Sequence, residues 1–169
     1  MTNKYSSVDL QDWLFEKASS VSAGTARKYI QYNDQRGVAS GTVGKLYFFK
    51  YDPKTKEKMT QYDKFPMAFV IEQYSNGFLG LNLHYVDVAT RQAIVDKFLE
   101  LRTNEYMDER TRIRLSYQVI TGTSILTKLT RPCVKRYLYN HCRSQFIEIY
   151  PDEYDKAIEL PVEEWVFKR

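Results

Sequence analysis

The chain has 169 residues, 43% hydrophobic and 15% aromatic, with 14 Tyr, nine Phe, seven Gly, five Pro and a formal net charge of +4. That length buries a core without staples, and so few Gly and Pro beside so many rings argue against a disordered or low-complexity protein. The charge is unevenly spread: residues 1–109 hold 14 basic and 14 acidic side chains, Arg110 to Ile147 holds eight basic and no acidic ones, and Glu148 to Arg169 holds three basic and seven acidic.

Residues 1–42 read as peripheral. Ser7 is placed to cap a short helix with Leu10, Trp13, Leu14 and Lys17 on one face, and the Ser- and Gly-rich run from Ser19 to Gly24 stops it. Arg27 to Ser40 lacks periodicity and reads as an arm or linker. From Gly44 the pattern turns to β. Lys45 to Tyr51 is dense in aromatic residues, Asp52-Pro53-Lys54 is a turn sequence, and Met67 to Tyr74 and Phe78 to Tyr85 form two strands joined by Ser75-Asn76-Gly77. Asn76-Gly77 is the strongest hairpin signal in the chain. In the second strand Leu79, Leu81, Leu83 and Tyr85 alternate with Phe78, Gly80, Asn82 and His84, so the leucine face is expected to point into the core.

Asp87 can cap a helix from Val88 to about Arg102, with Ile94 or Val95, Phe98 and Leu99 or Leu101 at helical spacing. Asp108 begins a segment in which Ile113, Leu115, Tyr117 and Val119 alternate with polar residues. That alternation suits a strand, while the acidic start and the stop at Gly122 favour a helix, which is the reading taken. Thr130 and Arg131-Pro132 are read as starting a further helix, with Val134, Tyr137 and Leu138 on one side and Lys135, Arg136 and Tyr139 on or near the other. Gln145 to Tyr150 reads as a short strand, and Pro151 opens an acidic helix through Ile158 that Pro161 interrupts. These elements make an α+β protein: an N-terminal helix and arm or linker over 1–42, then one domain over 43–169 with a small antiparallel sheet around the hairpin at Asn76-Gly77, packed against several helices.

Two cysteines, Cys133 and Cys142, make no disulfide framework, and no charged-then-apolar leader opens the sequence, so a reducing compartment is expected. The longest uncharged run, Leu115 to Thr127, is too short and polar for a bilayer. A metal site would need convergence of His84, His141, Cys133 and Cys142, whose spacing is poor, so no metal or cofactor is expected. No Gly-x-Ser-x-Gly elbow is present, and Gly41-Thr42-Val43-Gly44-Lys45 lacks the spacing of a phosphate loop. A nuclease could only be built on Asp63-Lys64 or Asp52-Pro53-Lys54, pairs common in turns. His84, Asp52, Asp63 and Asn82 read first as turn or hydrogen-bonding residues.

The acid-free block remains. Either it attracts a polyanion, or the acidic tail folds back and neutralises it, or it meets an acidic protein. Its cations are Arg110, Arg112, Arg114, Lys128, Arg131, Lys135, Arg136 and Arg143. Interleaving of Lys135, Arg136 and Arg143 with Tyr137, Tyr139 and His141 suits phosphate contacts with rings packed on sugars or bases.

Several long ordered stretches carry a family resemblance over roughly residues 44–168. They are Gly44 through Tyr51 with Asp52-Pro53-Lys54, Tyr62-Asp63-Lys64-Phe65-Pro66, Gly77 through Tyr85, Arg131 through Leu138, Arg143-Ser144-Gln145-Phe146, and Pro151 through Asp155 with Leu160-Pro161. The chain resembles the DNA end protector-like virion proteins of contractile-tailed bacteriophages. Met59-Thr60-Gln61 and Val86-Asp87 depart from the pattern, as in a divergent member. The resemblance implies a non-enzymatic protein that binds the terminus of packaged double-stranded DNA, shields it from host exonuclease and aids head completion. It also implies head, portal or neck proteins as partners, and residence in the virion and, during assembly, the host cytoplasm. Tyr137, Tyr139 and Phe146 are the rings expected to pack on a DNA end. The competing readings are a structural head-neck-tail adaptor without DNA binding and, third, a metal-dependent nuclease.

Overall fold

The computed structural model describes residues 7–20, 37–38, 41–103, 111 and 131–167. Strands β1 (Gly37–Val38), β2 (Leu46–Phe48), β4 (Met67–Tyr74), β5 (Gly77–Asn82), β6 (Val134–Leu138) and β7 (Phe146–Ile149) form one antiparallel sheet in the order β1-β7-β2-β4-β5-β6. Two further strands, β3 (Gln61–Asp63) and β8 (Trp165–Phe167), pair with each other antiparallel. With the helices α1 (Ser7–Ser20), α2 (Val88–Thr103) and α3 (Tyr154–Ala157), the class is α+β.

Both faces of the large sheet are buried, which explains why β4 begins as an unbroken apolar run. On one face Leu46, Phe48, Met67, Phe69, Ile71, Leu81, Ile147 and Ile149 meet Leu10, Leu14 and Ala18 of α1 and Ile94, Val95 and Phe98 of α2. Phe98 stacks on Phe69 with ring centroids 4.0 Å apart, fixing α2 to the sheet. Asp87 caps α2 by accepting from the Thr90 N–H at 2.8 Å, as its place in the sequence indicates. Helix α1 is therefore not peripheral: its leucines sit in the main core, because their helical spacing gives one apolar stripe that the sheet face covers.

The opposite face holds a second, aromatic core of Tyr47, Phe49, Tyr51, Ala68, Val70, Phe78, Tyr137 and Phe146. Its phenols are hydrogen-bonded: Tyr47 Oη accepts from the Thr42 N–H at 2.8 Å, Tyr51 Oη from the Leu138 N–H at 2.9 Å, and Tyr137 Oη from Asn82 Nδ2 at 3.2 Å. Among the described tyrosines, Tyr47, Tyr51, Tyr137 and Tyr154 are thus core, while Tyr62, Tyr74, Tyr85, Tyr139 and Tyr150 are half-buried. The expected leucine-in, mixed-out division of β5 is too simple, since Phe78 and Asn82 are as deeply buried as Leu81.

Residues 134–138 form a strand, not the helix that Arg131-Pro132 suggested. The proline lies in a 3-10 turn, Arg131–Cys133, which delivers the chain onto the free side of β5. Gly77 and Gly80 explain the fit. A Cβ at Gly77 would run into the Tyr137 carbonyl oxygen, and one at Gly80 would stand 3.0 Å from the Tyr137 ring. The hairpin is present, with Tyr74 opposite Gly77 and Ser75-Asn76 as its two-residue loop. Neither loop residue has a positive φ, so Gly77 serves β6 rather than an Asn-Gly turn. Phe146–Ile149 is a strand as read, and Pro151–Glu153 opens a helical segment running into α3. The expected strand end at Leu83–Tyr85 is instead a 3-10 turn, capped by the Asn82 side chain accepting from the His84 N–H.

Candidate nucleic-acid interface

Strand β6 is the outermost strand of the described sheet at the β5 end. It presents Lys135 and Arg136 to opposite faces, as the two-residue period demands. Lys135 Nζ lies 4.3 Å over the Tyr85 ring, and the Arg136 guanidinium lies 3.9 Å over Tyr74 with one nitrogen 2.8 Å from Asn76 Oδ1. These contacts hold two cations in place without neutralising them. Arg131 is exposed in the preceding turn. Arg143 is exposed too, but its guanidinium donates to the Asn140 carbonyl at 2.7 Å and lies 3.7 Å from Asp52 Oδ2. Asp52 is shared with Lys56 at 3.0 Å, and the hydrogen bond from Lys56, with Arg143 and His141 nearby, holds its carboxyl below the usual range. Arg110, Arg112, Arg114 and Lys128, and the helix-or-strand question over 110–121, lie outside the described residues.

The acidic tail does not cover these cations among the described residues. Glu148 pairs with Lys45 at 3.1 Å, Glu164 with Lys64 at 3.6 Å, and Glu163 with Arg91 at 3.6 Å. No described carboxylate lies within ion-pair reach of Arg131, Lys135 or Arg136.

Two of the rings expected to meet DNA do not reach solvent. Tyr137 is 4% and Phe146 2% exposed, both buried among the rings of the aromatic core. Burial pushes the Tyr137 phenol well above its ordinary range. Tyr139, half-buried against Phe78 and Phe146, keeps one side toward solvent.

Sequence reasoning missed the opposing wall. The loop from Tyr51 to Asp63 runs beside the outer edge of β6, and between them lies a cleft of about 210 Å³. From the loop it is lined by Lys54, Met59 and Tyr62, and from the other side by Tyr85, Lys135 and Arg136. The Tyr85 ring is braced edge-on by Trp165 at 4.9 Å, and burial, then the Asp63 charge, raises its phenol to about 12, leaving it a hydrogen-bond donor at neutral pH. The sequence signal was the density of Lys between Lys50 and Lys64, five in all, which Asp52, Glu57 and Asp63 partly offset on paper.

One of those acids is turned inward. Asp63 is 4% exposed: Oδ1 accepts from the Phe65 N–H at 3.0 Å, while Oδ2 accepts from Asn82 Nδ2 at 3.0 Å and lies 2.6 Å from His84 Nδ1. Asp63, Asn82 and His84 thus form a buried hydrogen-bonded network under the cleft, the role first read for them, although His84 Nε2 has no hydrogen-bond partner among the described residues and lies 3.9 Å from Glu163 Oε2. Asp52 and Asp63, the acids of the nuclease reading, are each committed to partners within the protein.

Residues 15–169 match the family model described as Phage T4 terminal DNA protecting protein. No curated protein and no solved structure matches the chain.

Proposed function

The chain belongs to the phage T4 terminal DNA protecting family, and from that membership we propose that it binds the terminus of packaged double-stranded DNA and protects it from host exonuclease without catalysing a reaction. The observation that carries this reading is the pair Lys135 and Arg136 on an outermost strand, braced by tyrosines and free of described carboxylates. Phosphate binding needs cations whose charge is not already neutralised, and it needs no base readout to hold a DNA end. Arg131 and Arg143 extend the same surface along the chain on both sides of β6, and Tyr139 supplies a half-exposed ring.

The same reading places the protein in the virion, and in the host cytoplasm during assembly, where it aids head completion beside head, portal or neck proteins. The test is a nuclease-protection assay on one sequence in linear and covalently closed form. The expected result is tighter binding to linear DNA, with its ends resisting a processive exonuclease. Equal affinity for circles, or DNA degraded by the protein itself when divalent metal is added, would overturn it.

A further inference from the structure

We propose that the cleft between β6 and the 51–63 loop holds the terminal nucleotide of one DNA strand, so that an end is told from the interior of a duplex by a seat for one unpaired unit. The proposal rests on the DNA-end reading above and adds the place where the end is sensed.

The edge of β6 supplies the first argument. Tyr139 N–H donates to the Asn76 carbonyl at 3.0 Å, extending a ladder in which Gly77 faces Leu138 and Phe78 faces Tyr137. Alternation along an antiparallel pair then points the backbone groups of Tyr137 and Lys135 at β5, and those of Leu138 and Arg136 outward. The Leu138 N–H is taken by Tyr51 Oη at 2.9 Å. The Arg136 N–H has no partner among the described residues, and Arg136 is one of the residues lining the cleft.

Composition supplies the second. Three cations, Lys54, Lys135 and Arg136, line a hollow that also offers the apolar surfaces of Met59 and Tyr62. A phosphate takes the ammonium groups of Lys54 and Lys135 and the outward Arg136 N–H, while the Arg136 guanidinium stays over Tyr74, which does not line the hollow, and a flat base takes the ring and thioether. A terminal pair is stacked on one side only, so it is the pair that opens at least cost. A peptide added as a strand fits less well. The Leu138 N–H is already taken by Tyr51 Oη, which shortens any ladder, and the cations favour a phosphate over a mixed peptide.

The test uses the full chain and short duplexes of one sequence, either with open phosphorylated blunt ends or with both ends closed by hairpin loops. Thr55 lines the cleft, is exposed, and makes no side-chain cap bond, so Thr55→Trp fills the hollow while leaving Arg131 and Arg143 untouched. The wild type is expected to prefer open ends by about tenfold, the weight of one base on a ring. Thr55→Trp should lose that preference and keep its affinity for the closed duplex. Lys54→Gln, in which the hollow stays open, should weaken the preference for open ends. If the wild type binds both duplexes equally, or if the folded Thr55→Trp protein keeps the preference, the cleft is not the seat, while salt-sensitive binding of both would leave general DNA binding standing. No binding to either duplex at low salt would overturn the DNA reading itself.

Discussion

Removing positive charge and removing negative charge from the β6 surface should move DNA affinity in opposite directions. Lys135, Arg136 and Arg143 contribute three cations, and each phosphate neutralised on B-DNA adds about 0.9 to the slope of log affinity against log salt. Replacing all three by Gln should therefore flatten that slope by up to about 2.7, which removes roughly 40-fold of the affinity change between 50 and 200 mM salt. Arg143 counts for less than the others, because it lies 3.7 Å from Asp52 and donates to the Asn140 carbonyl. Asp52→Asn is the converse change. It releases both Arg143 and Lys56, and since both pairs are exposed it should leave thermal stability almost unchanged. DNA affinity should rise and the slope should steepen by up to about one phosphate's worth for each freed cation. Fluorescence anisotropy on a linear duplex across a salt series reads both quantities. An unchanged slope in the triple variant, or weaker binding by Asp52→Asn, would refute the assignment of these side chains to phosphates.

Three further changes test the fold that holds the site. Gly77→Ala drives a Cβ into the Tyr137 backbone and should cost at least about 1–3 kcal/mol in urea unfolding, whereas Gly80→Ala meets only ring atoms and should cost less; equal effects would contradict the packing of β6. Arg91 donates to the carbonyls of Leu83 at 2.8 Å, Val86 at 3.0 Å and Ile158 at 2.9 Å, so Arg91→Ala should lose roughly 2–5 kcal/mol by leaving these acceptors short of donors; a loss under about 1 kcal/mol in the same assay would show that water replaces the guanidinium. Cys133 and Cys142 are 0% and 3% exposed, and burial pushes both thiols up to about 12, so neither should react with a thiol reagent at pH 8 until the protein unfolds. The sign follows from linkage: the unfolded chain gives up these protons near 9 and the folded one near 12, so stability is intact below pH 9 and falls as pH rises toward 12, by up to about 1.4 kcal/mol per pH unit for each thiol. Flat stability from pH 9 to 11 would contradict the burial.

Local signals were legible wherever one element decides its own structure. Helix α2 follows from Asp87 and the spacing of Ile94, Val95 and Phe98, and the β4–β5 hairpin from two apolar runs around Ser75-Asn76-Gly77, although its loop is Ser75-Asn76 and not the Asn76-Gly77 turn expected. What escaped depends on residues far apart. Five residues, Val134–Leu138, are too few for periodicity to choose, and the choice is made by Gly77 and Gly80, which clear room for Tyr137 on a distant strand. The β3–β8 pair joins Gln61–Asp63 to Trp165–Phe167, and three residues of alternation carry no signal. The candidate surface was half legible. Its cations could be counted along β6, but Lys54 and Tyr62 join them only through the fold. Charge arithmetic also concealed them, because Asp63 offsets a lysine in the sequence yet is spent inside on Asn82 and His84.

An outermost strand with open backbone groups invites another strand, and lysine or arginine along such an edge is a common defence. That gives the β6 cations a purpose without DNA, but it does not account for how they are held. A defence needs only charge in water, and a freely moving side chain serves best. Here Lys135 is laid over Tyr85, and Arg136 is fixed between Tyr74 and Asn76, so both give up conformational freedom for a set position. Fixing a cation is useful when its partner has fixed geometry, as successive phosphates do. The edge also stays open where defence would close it. Tyr51 satisfies Leu138, while Arg136 keeps its outward N–H beside a hollow lined by Lys54 and Lys135. An edge that only repelled strands would have no reason to retain that donor, and an edge that receives a phosphate would.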